Sequence, residues 1–191
     1  DLVYLFTSTV SSEIDAMICK EGAFLVDQKI TYAKEVNNFS PHELPNQIRY
    51  YSGPLTTELL ELAIESGHES RFKKDSRLQP KFTLLYKTWI EKSLTGEMAD
   101  VVIVYETEQS IKAFITLKKK DTYGQIGLIA VNQDSQGKGI GKTLMLAAEN
   151  WYLSENLVTA KVITQKTNTI ACNLYEKSGY SIESKEFVYH L

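Results

Sequence analysis

The chain has 191 residues, 43% of them hydrophobic and 24% charged, and a formal net charge of −3. That is enough chain for one sizeable core with the composition of a soluble globular protein, and it leaves no global basic field for nucleic acid or an anionic membrane. No apolar run approaches the roughly 20 residues that span a bilayer, and DLVYLFTSTV at the start lacks the basic region and cleavage site of a signal peptide. The two cysteines, Cys19 and Cys172, fit no CxxC spacing, which argues against a zinc site or a disulfide framework and makes a reducing cytoplasm the simplest compartment.

Along the chain, the first fifty residues are the hardest to read. VYLFT has strand character and AFLVDQKITYA reads as a hairpin or a bent strand, while Asn37, Asn38, Pro41 and Pro45 mark a loop over 37–47. We read residues 1–50 as a small N-terminal sub-domain and 51–191 as the main domain. Over 55–66 the apolar period is helical, with Leu59, Leu62 and Ala63 on one face, Thr56 or Thr57 as N-cap and Gly67 at the stop. A second helix is predicted over 81–94, with its stripe of Phe82, Leu85, Tyr86, Trp89 and Ile90 assigned to the core. The pattern then becomes extended. Strands are expected at 101–105 and 111–117 as a hairpin, and at 124–131. The run Lys118 to Lys120 reads as a solvated strand end. A helix with Leu144, Ala147, Ala148 and Trp151 inward follows, then a strand at 158–163, a short helix at 169–177 and strand material at 180–190.

Between the third of these strands and its helix lies SQGKGIGKT, Ser135 to Thr143. It suits phosphate, because glycines let successive N–H groups converge and a helix start adds partial positive charge. A nucleotide P-loop needs a glycine where Gln136 stands, and a dinucleotide fingerprint needs one where Lys142 stands. The spacing that fits is Gln-x-x-Gly-x-Gly on Gln136, Gly139 and Gly141. It resembles the pyrophosphate-gripping motif of the GCN5-related N-acetyltransferases. Downstream, TNTIACNLYEKSGY carries Asn168, Ala171, Leu174, Tyr175, Gly179 and Tyr180 in the pattern of that superfamily's next motif, after a strand as the superfamily requires. The segments SRF at 70–72, LYKTWIEKSL at 85–94 and IGLIAV at 126–131 are further similar to bacterial TDP-fucosamine acetyltransferases, from about Gly53 onward.

The resemblance implies an α/β fold with a mixed central sheet flanked by helices, acetyl-CoA as acyl donor, no metal, and the amine of a dTDP-4-amino-4,6-dideoxyhexose as acceptor. It also implies a possible homodimer, since dimers are common in the superfamily, and no nucleic-acid or membrane partner. By residue, it implies that Gln136, Gly137, Lys138, Gly139, Ile140, Gly141 and Lys142 wrap the coenzyme's pyrophosphate. The backbone of Leu128, Ile129, Ala130 and Val131 would lie along the pantetheine arm, with the Ile129 or Val131 N–H on the thioester carbonyl. Tyr175 would be the general acid at the sulfur, a phenol of ordinary pKa ~10, and Asn168 and Ala171 would flank it, Asn168 as arm ligand, helix cap or both. Ser70, Arg71 and Phe72 would meet the acceptor, although Arg71 reads equally as a structural ion-pair partner. The general base is open: the central strand, YGQIGLIAV, has Gln125 but no carboxylate, and His68, Glu69 and proton loss through water are the alternatives. Other amine acceptors, and a CoA-binding module without catalysis, also fit the residues.

Overall fold

The computed structural model describes the whole chain except Asp1, Val10, Asn37, Asn38, Phe39 and Gln109; that part of the expected 37–47 loop lies outside the described residues. In chain order the elements are β1 (Tyr4–Thr7), α1 (Ser12–Lys20), β2 (Phe24–Glu35), β3 (Ile48–Tyr50), α2 (Thr57–Ser66), α3 (Arg71–Lys74), α4 (Phe82–Leu94), β4 (Val101–Thr107), β5 (Ser110–Lys119), β6 (Gly124–Val131), α5 (Ile140–Ser154), β7 (Thr159–Gln165), α6 (Thr169–Lys177) and β8 (Ser181–His190). The strands form one eight-stranded sheet in the order β1-β8-β2-β7-β6-β5-β4-β3. This is the expected mixed α/β architecture. Every pairing is antiparallel except β6 with β7, the pair joined by the α5 crossover that a parallel connection requires.

The segment AFLVDQKITYA resolves into a single long strand. β2 runs between β7 and β8, bent by register shifts at Leu25/Asp27 and Thr31/Tyr32, so residues 1–50 supply strands to the same sheet as the rest. Bulges of this kind turn a strand without ending it. The first also explains why the alternation was ambiguous, since the extra Val26 moves the β2 side chains that follow to the other face, whereas the second places its extra residue, Glu183, on β8.

The sheet separates two cores. Ile30, Tyr32, Ile126, Leu144, Ala147, Ala148, Trp151 and Tyr175 pack together on the side of α5 and α6. Leu59, Leu62, Ala63, Phe82, Tyr86 and Ile90 pack with Val102, Val104 and Phe114 on the side of α2 and α4. The helices begin where their caps dictate. The Thr56 hydroxyl accepts from the Leu59 N–H at 3.3 Å, a contact whose loss costs about 1 kcal/mol. The lysines at the end of β5 are solvated and ion-paired, Lys118 with Asp100 and Lys119 with Glu155.

Several elements escape the sequence reading, among them α1, β3, α3, and 3₁₀ turns at Gln79–Lys81 and Gln133–Ser135. α3 is too short to be held by its own hydrogen bonds. It is held instead by Asp75 just beyond it, which accepts from Arg77 Nη2 at 2.9 Å and lies 2.6 Å from His190 Nδ1 at the end of β8. The Arg77 and His190 contacts keep the Asp75 carboxyl well below the ordinary range.

Candidate active site

β6 and β7 are parallel neighbours only over Gly124–Ile126 and Ala160–Val162. Beyond that point they diverge, and the split opens into a cavity of about 330 Å³ whose walls include Gly127, Leu128 and Ile129 of β6 and Ile163, Thr164 and Gln165 of β7. One end is closed from the α6 side by Asn168, Ala171 and Tyr175, and the other from the opposite face by Ser70, Arg71, Phe72, Tyr86 and Trp89. The cavity therefore passes through the sheet and connects its two faces.

The divergence leaves one edge of β6 without a partner strand. The Leu128 N–H donates to Thr116 Oγ1 at 2.8 Å and the Asn132 N–H to the Lys112 carbonyl at 2.8 Å, so both point toward β5. By strand alternation the N–H groups of Ile129 and Val131 point the other way, into the split. Gly127 is needed for this arrangement: a Cβ there would lie 2.7 Å from Thr116 Oγ1, the atom that satisfies Leu128.

At the far end of β6, the chain turns through the glycine loop into α5. Gly139 is the N-cap in the left-handed region, with φ 82°, and Gly137 has φ 75°; a side chain at either is strained by about 1–2 kcal/mol. No side chain caps α5. Among the described residues, the N–H groups from Gly137 to Lys142 meet no acceptor, the first bond of the helix being Thr143 N–H to the Gly139 carbonyl. A run of free donors at a positive helix end fits a diphosphate, and this is the observation on which the loop is matched to coenzyme A. The side chains of the loop contribute less than its backbone. Gln136 Nε2 donates to the Val131 carbonyl at 3.1 Å and Lys138 Nζ to the Asp134 carbonyl at 2.8 Å; Lys142 is exposed and Ile140 is buried in the core.

The expected site residues thus fall into two groups. Leu128, Ile129, Asn168, Ala171, Tyr175, Ser70, Arg71 and Phe72 surround the cavity, and Gln136 to Lys142 form the loop beyond it. Val131 joins them, since both Val131 and Leu174 of α6 come within van der Waals reach of a Cβ at Gly141. Ala130 turns its side chain to the α2–α4 core. Asn168 is the N-cap of α6, its Oδ1 accepting from the Ala171 N–H at 3.1 Å, and it lines the cavity as well.

Tyr175 is 3% exposed. Its ring tilts against Tyr32 and Tyr180 at 5.8 and 6.2 Å, and its hydroxyl has no partner among the described residues. The phenol does not keep its ordinary pKa: burial raises it well above 10, so it is held protonated. A thiolate released into the same cavity is desolvated too, and its proton affinity rises with it.

On the opposite face, the Arg71 guanidinium lies 4.6 Å from the Phe72 ring centre and 5.6 Å from that of Tyr4, while its Nε is buried without a partner. Among the described residues no ion pair of Arg71 is seen, although its charge acts on the nearby Asp27. His68 is exposed, and Glu69 is bound to Lys74 at 3.1 Å; neither lines the cavity. Sequence reasoning missed Lys29, Ser66, Thr164 and Gln165 on the wall, and it left Tyr86 and Trp89 in the core although both also face the cavity. No sequence signal marks them, since Phe82, Leu85, Tyr86, Trp89 and Ile90 share one helical stripe.

A parallel pair split by a through-sheet cavity, with a loop of free donors at the crossover helix, defines an acyl-coenzyme A transferase site. Residues 56–180 match the acetyltransferase (GNAT) family, and the chain belongs to that family, the acetyl-CoA-dependent N-acetyltransferases. Among curated proteins it is 28% identical over 185 residues to a dTDP-fucosamine acetyltransferase of Escherichia coli O6:H1, covering 93% of this chain and 75% of that one. It is 26% identical over 137 residues to the spore coat polysaccharide biosynthesis protein SpsD of Bacillus subtilis, covering 71% of this chain and 47% of the relative. A GCN5-related N-acetyltransferase from Sphaerobacter thermophilus superposes with a TM-score of 0.67 at 14% identity, over all of this chain and 59% of that structure; that likeness speaks for the fold.

Proposed function

We propose that the chain acetylates the amine of a nucleotide-linked amino sugar, a dTDP-4-amino-4,6-dideoxyhexose, for surface polysaccharide synthesis. The observation that carries this reading is the cavity itself, with Tyr175 at its α6 end and Ser70, Arg71 and Phe72 at its α3 end. The relatives named for fucosamine acetylation and for spore coat polysaccharide support the acceptor class. So does the cationic stretch Arg71, Lys73 and Lys74, which suits a diphosphate. Residues 51–191 would carry the chemistry and 1–50 would frame the acceptor side.

Acetyl-CoA supplies an activated acetyl group. The loop from Gln136 to Lys142 would hold its diphosphate on backbone donors, and the open edge of β6 would pair with its amide arm as an added strand does. The Ile129 and Val131 N–H groups, aimed into the split, would donate to the acetyl carbonyl where negative charge develops. Tyr175 would keep a proton at the position of the leaving sulfur. Arg71 would orient the acceptor from the far end, with Phe72 as a flat wall. The test is thiol release from acetyl-CoA against a panel of dTDP-amino sugars and simple amines. Turnover of the dTDP-amino sugars well above the simple amines is expected; the reverse order would overturn the acceptor.

A further inference from the structure

N-acylation needs a group that takes a proton from the incoming ammonium, and β6 carries no carboxylate. One buried carboxylate near the acceptor side has no other role. Asp27 is 6% exposed and its Oδ2 has no hydrogen-bond partner. Two further polar atoms close by are orphaned in the same way, Ser70 Oγ and Arg71 Nε, and both belong to residues of the cavity wall. Burial raises the Tyr86 phenol above its ordinary value, and Ser70 Oγ beside it offsets part of that rise without reaching hydrogen-bond geometry. Folded proteins rarely leave such atoms dry; groups of them hold water or ligand.

The strand geometry places Asp27 on the same side as these atoms. Asp27 and Lys29 pair in regular register with Val188 and Glu186 of β8, so they share one face of β2, and Lys29 lines the cavity. The charged and titratable groups that face Asp27 are Arg71 and Lys74 from α3, Lys29 from β2 itself and Tyr86 from α4; its partner on β8 is the apolar Val188. Asp27 is not itself on the wall; Arg71, whose charge acts on its carboxyl, and Lys29, two residues along on the same face, both are.

We propose that Asp27 is the proton acceptor for the incoming amine, reached through water held at Ser70 and Arg71. This rests on the α3 end of the cavity being the acceptor end. The step balances as follows. The ammonium gives one proton through water to the Asp27 carboxylate, and the freed nitrogen pair forms the C–N bond at the acetyl carbon. The C–S bond breaks with its electron pair on sulfur, which takes the Tyr175 proton. The nitrogen's surplus proton returns to the tyrosinate, and Asp27 discharges its own to solvent. Products are the N-acetyl sugar, the thiol and one proton. Burial raises the Asp27 carboxyl to about 6 against the pull of Arg71 and Lys74, which suits a group that must take up and release a proton near neutrality.

The experiment compares wild type, Asp27→Asn and Asp27→Glu with acetyl-CoA and dTDP-4-amino-4,6-dideoxygalactose. Asp27→Asn is expected to lower kcat/KM for the amino sugar by roughly 10²-fold or more, with acetyl-CoA affinity by calorimetry unchanged and Asp27→Glu restoring part of the loss. In wild type, kcat/KM should rise with pH to a bend near 6 that Asp27→Asn lacks. A loss below threefold, a parallel loss of acetyl-CoA affinity, or a bend that persists in Asp27→Asn overturns the proposal. Should that variant fail to fold, a wild-type profile without a bend between pH 5 and 7 overturns it alone. If wild type acetylates only simple amines, the acceptor reading fails separately and the same three enzymes are compared on the amine that is used. If no amine is acetylated, both fail.

Discussion

Replacing Asp27 by asparagine should stabilise the fold at neutral pH even as it impairs turnover. The carboxyl is raised from 3.8 to about 6 by burial. The folded chain therefore holds this proton more tightly than the unfolded chain. Between pH 3.8 and 6 the unfolded state has given the proton up and the folded state has not, so stability falls as pH rises, and the full deficit persists above 6. A difference of about 2 units at 1.36 kcal/mol each sets a ceiling of about 3 kcal/mol. The pull of the three nearby cations is already contained in that shift, and water reaching the cavity reduces the expected gain to about 1–2 kcal/mol. For a chain of this length that is about 4 °C in Tm. Asparagine keeps the shape of the side chain, so packing changes little. Thermal melts followed by circular dichroism at pH 4 and pH 7.5 would separate the terms: the variant should gain at pH 7.5 and differ from wild type by only a few tenths of a kcal/mol at pH 4. An equal difference at both values, or a loss at pH 7.5, would refute the reasoning.

Tyr175→Phe should lower kcat by about 10²-fold with little change in KM for acetyl-CoA, checked by steady-state thiol release; an unchanged kcat removes the phenol from the reaction. Arg71→Ala should raise KM for the dTDP-amino sugar about tenfold and leave the calorimetric affinity for acetyl-CoA alone. Gly139→Ala should weaken coenzyme A binding about tenfold, because the left-handed cap must be paid for in strain and the loop donors turn away; calorimetry with coenzyme A measures it. Thr116→Val should cost about 1–2 kcal/mol in urea unfolding by leaving the Leu128 N–H without its acceptor.

The later part of the fold was the more legible, for reasons that can be named. Helices with one apolar face, such as Leu59-Leu62-Ala63 and Leu144-Ala147-Ala148-Trp151, declare themselves because burial and helical period agree. The loop glycines declare themselves because positive φ restricts the choice of residue. β2 did not, since a bulge at Val26 breaks its alternation, and α3 did not, since it is fixed by Asp75 contacts reaching from Arg77 to His190, far apart in sequence. Of the residues now seen at the loop and the cavity, the glycine loop stood out by its spacing and Tyr175 by the resemblance of its motif alone. The expectation that Gln136 and Lys138 serve as ligands met side chains already bonded to nearby carbonyls. Lys29, Thr164 and Gln165 carry no local signal, because they reach the cavity only through strand divergence, a tertiary property. Asp27 was hidden for the same reason: a lone acidic residue in an apolar run looks like a surface position until its burial is known.

The place of β2 has a bearing on how the molecule is made. Residues 24–35 leave the ribosome well before their hydrogen-bonding neighbours, 159–165 and 181–190, have been made. The sheet can close only once those two later strands exist, and until then a twelve-residue strand waits with both edges bare, open to chaperones or to a strand of another nascent chain.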